Sequence, residues 1–219
     1  MKELEKIIQI GRKMGGTRGG EIQLEGHDAF LTNTKRSSIY LINSSENLGT
    51  GTFYSSQALL TAEKVERRDD KVWFHWRENG VNRREFVPNL QSFRKELMET
   101  IKKKATKQYI KIPPTLFTIL YEDLLITKLK VKNNNIIATQ IRSDGSVGFE
   151  NEISLSRGLI RLDYDDTDEI SIFTSDLLLL KPFVEDHLEI SFSKNNPLTV
   201  YIPYSNGKLL SLIGNLEYD

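Results

Sequence analysis

Hydrophobic positions along the chain change their spacing several times, and the changes come in a repeating order. Leu4, Ile7 and Ile8, with Met14 further on, recur at helical spacing and predict a helix over residues 3–13. Residues 22–32 then read as two strands around a polar turn at Gly26, His27 and Asp28. Residues 53–65 open with Phe53, Tyr54 and Ser55 and place Leu59 and Leu60 behind them, which predicts a short serine-capped helix. From Lys71 to Arg77, Val72, Phe74 and Trp76 alternate with Trp73, His75 and Arg77. Asn79-Gly80 and a second run to Val87 follow, which is the signal of a hairpin with a two-residue turn.

The same succession returns in the second half. Leu116, Ile119 and Leu120 predict a helix over residues 115–125, and residues 129–139 again read as two strands around the polar turn Asn133-Asn134-Asn135. Phe173, Thr174 and Ser175 precede Leu179 and Leu180, so Phe173-x-Ser175 matches Phe53-x-Ser55 and predicts a helix over 173–184. Residues 188–192 and 198–204 alternate around Lys194, Asn195 and Asn196 as a closing hairpin. A repeated unit of short helices and antiparallel meanders predicts an α+β fold with a duplicated domain. The expected division is residues 1–88, a polar connector 89–107 ending in Lys102, Lys103 and Lys104, and residues 108–219.

Composition narrows the function classes. Thirty Lys and Arg balance thirty Asp and Glu in 219 residues, so a nucleic-acid surface requires segregated charge, not a basic total. The absence of cysteine excludes disulfides, thiolate zinc sites and cysteine nucleophiles, and fits a reducing, intracellular compartment. The longest purely apolar run is residues 177–180, and the first residues lack the basic-then-apolar order of a signal peptide, so neither a membrane nor secretion is expected.

Three features invite a chemical reading. Asp163, Asp165, Asp166, Asp168 and Glu169 offer hard oxygen ligands for Mg²⁺ or Ca²⁺, and would serve a phosphodiester-processing enzyme. They lack the glycine and terminal glutamate of a calcium loop and read as a solvated acidic segment. His27, His75 and His187 have no second ligand at zinc spacing. Gly15, Gly16, Gly19 and Gly20 around Thr17-Arg18 lack the Lys-Ser/Thr ending of a phosphate loop and precede a strand. No metal, catalytic residue or cofactor is expected. Trp73 and Trp76 stand on opposite strand faces, so at most one belongs to a core.

The order of these elements resembles the DNA sliding clamps represented by proliferating cell nuclear antigen and its archaeal relatives. The resemblance is carried by residues 173–184, 188–192, Asn196-Pro197-Leu198 and the tail from Gly207 to Leu216. In the first half it is carried by residues 21–45, with Arg36 to Leu41 in place of the family's Pro-Ser-x-Val-x-Leu segment, and by Arg84 to Pro88. It implies the DNA clamp fold, assembled as a ring of pseudo-six-fold symmetry and in its simplest form a homotrimer. Such a ring encircles double-stranded DNA without sequence preference and tethers DNA polymerase, a clamp loader and other proteins bearing clamp-binding peptides. Loading would fall to a separate ATPase. The implied location is cytoplasmic or nucleoid-associated, or nuclear in a eukaryote. The alternative is a monomeric or heteromeric, checkpoint-like clamp-fold module.

The resemblance also implies two surfaces. Basic side chains on the helices would face the phosphates: Lys6, Arg12, Lys13 and Arg18, then Lys64, Arg67 and Arg68 at the end of the second helix, and Lys181 in the fourth. The third helix departs from that pattern, carrying Glu122 and Asp123 but no Lys or Arg. A partner-peptide groove would be built from Leu90, Phe93 and Leu97 of the connector, Ser38 and Ile39, and Ile213, Gly214, Asn215 and Leu216 of the tail. Two local readings compete with it. Residues 91–104 also show helical spacing, and Asn215 stands where the family commonly has proline. Ring closure would use edge strands near 109–112 or 72–77 on one side and 169–175 on the other, in a chain shorter than typical relatives.

Overall fold

The computed structural model describes residues 3–14, 17–33, 38–91, 110–133, 135–155, 169–192 and 197–216. They form two compact units: Met1–Ile101 with Ser205–Leu209, and Lys102–Tyr204 with Leu210–Asp219. No described helix is long and apolar enough to cross a membrane.

In the first unit, α1 (Glu3–Lys13) buries Leu4, Ile7, Ile8 and Ile10. It places Glu3 and Glu5 in its first turn and Arg12 and Lys13 in its last, as the helix dipole favours. Strands β1 (Glu21–Gly26), β2 (Asp28–Thr32), β3 (Ser38–Ser44) and β4 (Gly49–Tyr54) follow in the order β4-β1-β2-β3. After a 3-10 turn at Ser55–Gln57 come β5 (Lys64–Arg68), β6 (Lys71–Glu78) and β7 (Val81–Pro88), an antiparallel three-stranded sheet with β6 in the middle. The turn between β6 and β7 has Asn79 at φ 49° and Gly80 at φ 79°, the left-handed pair that the Asn-Gly signal requires.

In the second unit, β8 (Ile110–Ile112) is followed by a 3-10 turn at Pro114–Thr118, then β9 (Ile126–Lys132), β10 (Asn135–Ile141), β11 (Val147–Ser154) and β12 (Glu169–Phe173), in the order β12-β9-β10-β11. Helix α2 (Thr174–Leu178), a 3-10 turn at Lys181–Phe183, and β13 (Leu188–Ser191), β14 (Leu198–Tyr204) and β15 (Gly207–Ile213) complete it. Apart from β8, the strands of the two units repeat in the same order. β1 to β4 correspond to β9 to β12, and β5 to β7 correspond to β13 to β15.

Hydrogen bonding fixes the alignment of the repeat one residue away from the Phe-x-Ser match. Ser55 N–H donates to the Gly20 carbonyl at 2.9 Å, and Thr174 N–H donates to the Leu125 carbonyl at 3.0 Å. Ser55 therefore corresponds to Thr174, not to Ser175. The side chains at this position have diverged. Thr174 Oγ1 bonds Thr127 Oγ1 at 2.9 Å, whereas the residue corresponding to Thr127 is Ile22, and the buried Ser55 Oγ has no hydrogen-bond partner.

Two expected helices are absent. Residues 55–65 make only the 3-10 turn, whose N-cap has no side-chain bond, and from Lys64 the backbone is taken up by pairing with β6. Residues 115–125 start at Pro113-Pro114, coil for five residues and then stop. Gln140, which is 1% exposed, competes for the backbone: its Oε1 accepts from Tyr121 N–H at 3.0 Å, taking that donor from a helix, and its Nε2 donates to the Tyr121 carbonyl at 3.2 Å, which also accepts from Leu124 N–H in a single turn. The fourth helix forms only as α2 and the 3-10 turn that follows it.

Candidate nucleic-acid and partner interfaces

The basic residues divide between elements. On α1, Lys6 is half-buried while Arg12 and Lys13 are exposed. Arg12 serves the fold as well as the surface, since its Nη2 donates to the Ala58 carbonyl at 2.7 Å and its Nε to the Ser55 carbonyl at 3.3 Å, closing the 3-10 turn against the helix end. Gly11 permits that approach, because a Cβ there would meet Ile22 Cδ1 and Ser55 Cβ at 2.8 Å. Arg18 lies over the Tyr54 ring at 5.6 Å and lines a recess of about 300 Å³ with Tyr54, Ser56, Gln57, Pro88 and Leu90. Lys181 is exposed in the second unit's 3-10 turn.

Lys64, Arg67 and Arg68 do not end a helix. They lie on β5, where side chains alternate between faces. Lys64 Nζ and Arg68 Nη2 bond opposite oxygens of Glu66 at 2.8 and 2.5 Å, and His75 Nε2 is 3.1 Å from the same carboxylate. The Lys64 hydrogen bond, then the charges of Arg68, Lys64 and His75, hold the Glu66 carboxyl below its usual range. Arg67 points the other way, toward the Asp69 carbonyl at 3.4 Å, and with Thr50, Thr52 and Asn89 lines a cavity of about 550 Å³.

The same outer face of β5, β6 and β7 carries an aromatic and basic ladder that periodicity did not single out. Trp73 and Phe86 stand 4.9 Å apart between ring centroids, with Lys71 Nζ 4.5 Å over Phe86 and the Arg84 guanidinium 5.0 Å over Trp73. Neither Trp73 nor Trp76 belongs to the core.

The expected groove residues are dispersed, and several hold the fold together. Ser38 is buried on β3, and Ile39 faces Thr32 across the β2–β3 pair. Phe93 and Leu97 lie outside the described residues, as does the expected helix from residue 92 to 104. Leu90 N–H donates to the Thr52 carbonyl at 2.8 Å, while Thr52 N–H donates to Asn89 Oδ1 at 3.0 Å. Leu216 N–H donates to the Ser171 carbonyl at 2.7 Å, while Ser171 N–H donates to Asn215 Oδ1 at 3.2 Å. Thr52 and Ser171 are equivalent in the repeat, so one Asn-Leu clip closes the outer edge of β4 and another that of β12. That is what Asn215 does in the position where proline was expected. Ile213 is buried at the end of β15, and Gly214 follows it half-buried.

Of the expected edge strands, residues 72–77 lie in β6, the central strand of its sheet, whereas β8 and β12 each end a sheet; β8 pairs on one side with β13, and the outer side of β12 is held by the tail clip. Among the described residues, the open edges with exposed apolar side chains are β7, with Val81 and Phe86, and β11, with Val147 and Phe149.

No described group of three or more His, Asp or Glu is placed to hold a metal. Asp163, Asp165, Asp166 and Asp168 lie outside the described residues, and Glu169 pairs with Lys128 at 3.2 Å. His27 Nδ1 is 3.1 Å from the Glu46 carbonyl, and His187 Nδ1 is 2.9 Å from Asp186.

Among solved structures, the chain is similar to one in a complex of PCNA2 with PCNA3 from Sulfolobus tokodaii. The TM-score is 0.66 at 13% identity, over 96% of this chain and 94% of that one. No protein-family model matches the chain, and no curated protein matches it by sequence. The chain has the sliding-clamp fold, with antiparallel sheets and few short helices. At this identity the likeness extends to the fold.

Proposed function

We propose that this protein is a subunit of a DNA sliding clamp, a scaffold and not a catalyst, which encircles duplex DNA and tethers replication or repair proteins to it. Residues 1–88 and 108–219 would be its two clamp domains, joined by a connector over 89–107. One observation carries this reading: the two units differ in how their sheets end. In the first unit, Gly207–Leu209 of β15 continues the sheet beyond β3. The equivalent strands of the other sheets, β11 and β7, have no such neighbour among the described residues. A head-to-tail assembly would supply each with the other, and head-to-tail interfaces with the right rotation close into rings. Lys6, Lys13, Arg18 and Lys181 are the proposed phosphate contacts, with Arg12 contributing charge beside its structural bonds. The recess at Leu90 and Arg18 is the proposed start of the partner groove.

A second reading has an observation in its favour. The similar structure is a complex of two different clamp proteins, so the chain would be one member of a heteromeric ring or a clamp-fold binding module. Light scattering across protein concentration, with retention on closed circular against linear DNA, tests the two. A mass of about three subunits with retention only on closed circles supports the self-sufficient clamp. A monomer at every concentration refutes it in favour of the second reading.

A further inference from the structure

Charge is segregated on one face of the three-stranded sheet, in a chain whose thirty basic residues are balanced by thirty acidic ones. The face opposite the buried Val65, Val72, Phe74 and Val87 carries Lys64 and Arg68 from β5, Lys71 and Arg77 from β6, and Arg84 from β7. Glu66 is the strand carboxylate among them, and Asp69 and Asp70 lie beyond the strands in the β5–β6 turn. Lys64 and Arg68 bond Glu66, but among the described residues no acidic group pairs with Lys71, Arg77 or Arg84. Between the cations stand Trp73 and Phe86, opposite each other in the β6–β7 register, with Phe86 47% exposed. The Lys71 ammonium and the Arg84 guanidinium lie over these two rings, so charge and aromatic surface are held together.

Across its three strands this face is about 10 Å wide, and from Lys71 to Arg77 it is about 20 Å long. Ring and guanidinium planes stack bases of any sequence, while spaced cations follow a phosphate backbone. A duplex would offer the face only its phosphates, because its bases are stacked on one another. An acidic peptide would answer the cations without filling the planes between them. We infer that the outer face of β5, β6 and β7 binds a short stretch of single-stranded DNA, its bases on Trp73, Phe86 and the Arg84 guanidinium and its phosphates on Lys71 and Arg77. Lys64 and Arg68, expected to follow a helix toward duplex DNA, extend the charge along the far side. The choice of DNA over RNA rests on the clamp reading; the preference for a single strand rests on the face itself. The site uses the faces of the strands and leaves the open edge of β7 available.

The test uses the full chain and a labelled oligothymidylate of roughly a dozen nucleotides, with anisotropy read across salt concentration. Wild type is expected to bind, quenching tryptophan fluorescence, and to bind more weakly as salt rises. Phe86→Ala should weaken binding about five- to a hundredfold. Arg77→Ala and Arg84→Ala should each lower the slope of log affinity against log salt by about 0.7. Arg83→Ala, on the same strand but on its other face, should leave affinity and slope unchanged. All four positions are exposed, and circular dichroism and thermal melts verify folding. Absence of binding at low salt overturns the inference, as does a loss in Arg83→Ala equal to that in Arg84→Ala. Displacement of the oligonucleotide by polyglutamate at equal charge concentration also overturns it and makes the face a dock for acidic peptides. Tighter binding of oligouridylate overturns the choice of DNA. Retention on closed circular duplex is measured separately. If wild type binds oligothymidylate but is not retained, this site stands and the clamp reading falls; if it is retained but does not bind the oligonucleotide, the site falls and the clamp reading stands.

Discussion

The paired Asn-Leu clips make a quantitative prediction. In Asn215→Ala, the Ser171 N–H loses its acceptor while Ser171 stays 8% exposed on β12. An unsatisfied buried donor costs about 1–3 kcal/mol, and Asn215 is half-buried, so water reaching the gap sets the loss near the lower end, about 1 kcal/mol. Asn215→Asp keeps an oxygen acceptor in place and should lose little at neutral pH, whereas Asn215→Leu keeps the bulk without the acceptor and should cost at least as much as alanine. Thr52 is more enclosed, at 2% exposed, so Asn89→Ala should cost somewhat more than Asn215→Ala. Urea unfolding read by far-ultraviolet circular dichroism should move its midpoint by roughly 0.5 M for a slope of about 2 kcal/mol/M. Amide hydrogen exchange gives the local reading: Ser171 should lose about tenfold in protection in Asn215→Ala and keep it in Asn215→Asp. Equal losses for alanine and aspartate, or an unchanged Ser171 amide, would refute the clip.

Four further outcomes follow from other sites. Ser55→Ala removes a buried hydroxyl that has no partner and should raise stability by up to about 1 kcal/mol, whereas Thr174→Ala, which breaks a pair with Thr127, should lower it; thermal melts compare the two. Gln140→Leu leaves the Tyr121 N–H without its acceptor and removes one of the two donors to the Tyr121 carbonyl, and should cost about 1–3 kcal/mol in urea unfolding. Glu66 is held below its ordinary value of 4.5 by Lys64, Arg68 and His75, so the folded state binds its proton less readily. Its stabilisation is complete above about pH 4.5 and is lost as pH falls toward the folded value, and Glu66→Gln should flatten that acid limb in melts between pH 3 and 6. Arg12→Ala should lower both melting temperature and DNA retention, because the side chain caps Ser55 and Ala58, while Lys13→Ala should lower retention alone, measured as loss of salt-resistant binding to closed circles.

The strands were legible in the sequence where alternation and turn chemistry agreed. Val72, Phe74, Asn79-Gly80 and Val87 specify the β6–β7 hairpin at short range, and no distant residue contradicts them. The helices at 55–65 and 115–125 were misread because leucine spacing is a local signal and the competing bonds are remote. Gln140 reaches back 19 residues to Tyr121, and β5 takes up the chain from Lys64. The same remoteness hid the function of Asn89 and Asn215, which look like ordinary turn residues until Thr52 and Ser171 are set against them. The β7 and β11 edges were within reach, since Val81 and Phe86 interrupt a charged strand and Glu150 and Glu152 alternate. Their meaning depended on knowing which strands finish a sheet.

The place of Ser205–Leu209 in the first unit ties the maturation of that unit to the order of synthesis. A chain emerging from the ribosome presents α1 and β1 to β7 long before β15 exists, and through all that time the edge of β3 is exposed backbone. At about 5–20 residues per second, the stretch from Leu90 to Gly207 takes on the order of ten seconds to make. Throughout that interval the nascent first unit offers the same kind of sheet edge that β11 presents among the described residues. A neighbouring chain on the same message would carry a ready supply of strands to fill it. The pairing with Gly207–Leu209 is favoured over any such substitute because its glycine start approaches the Asn43 carbonyl more closely than any side chain permits.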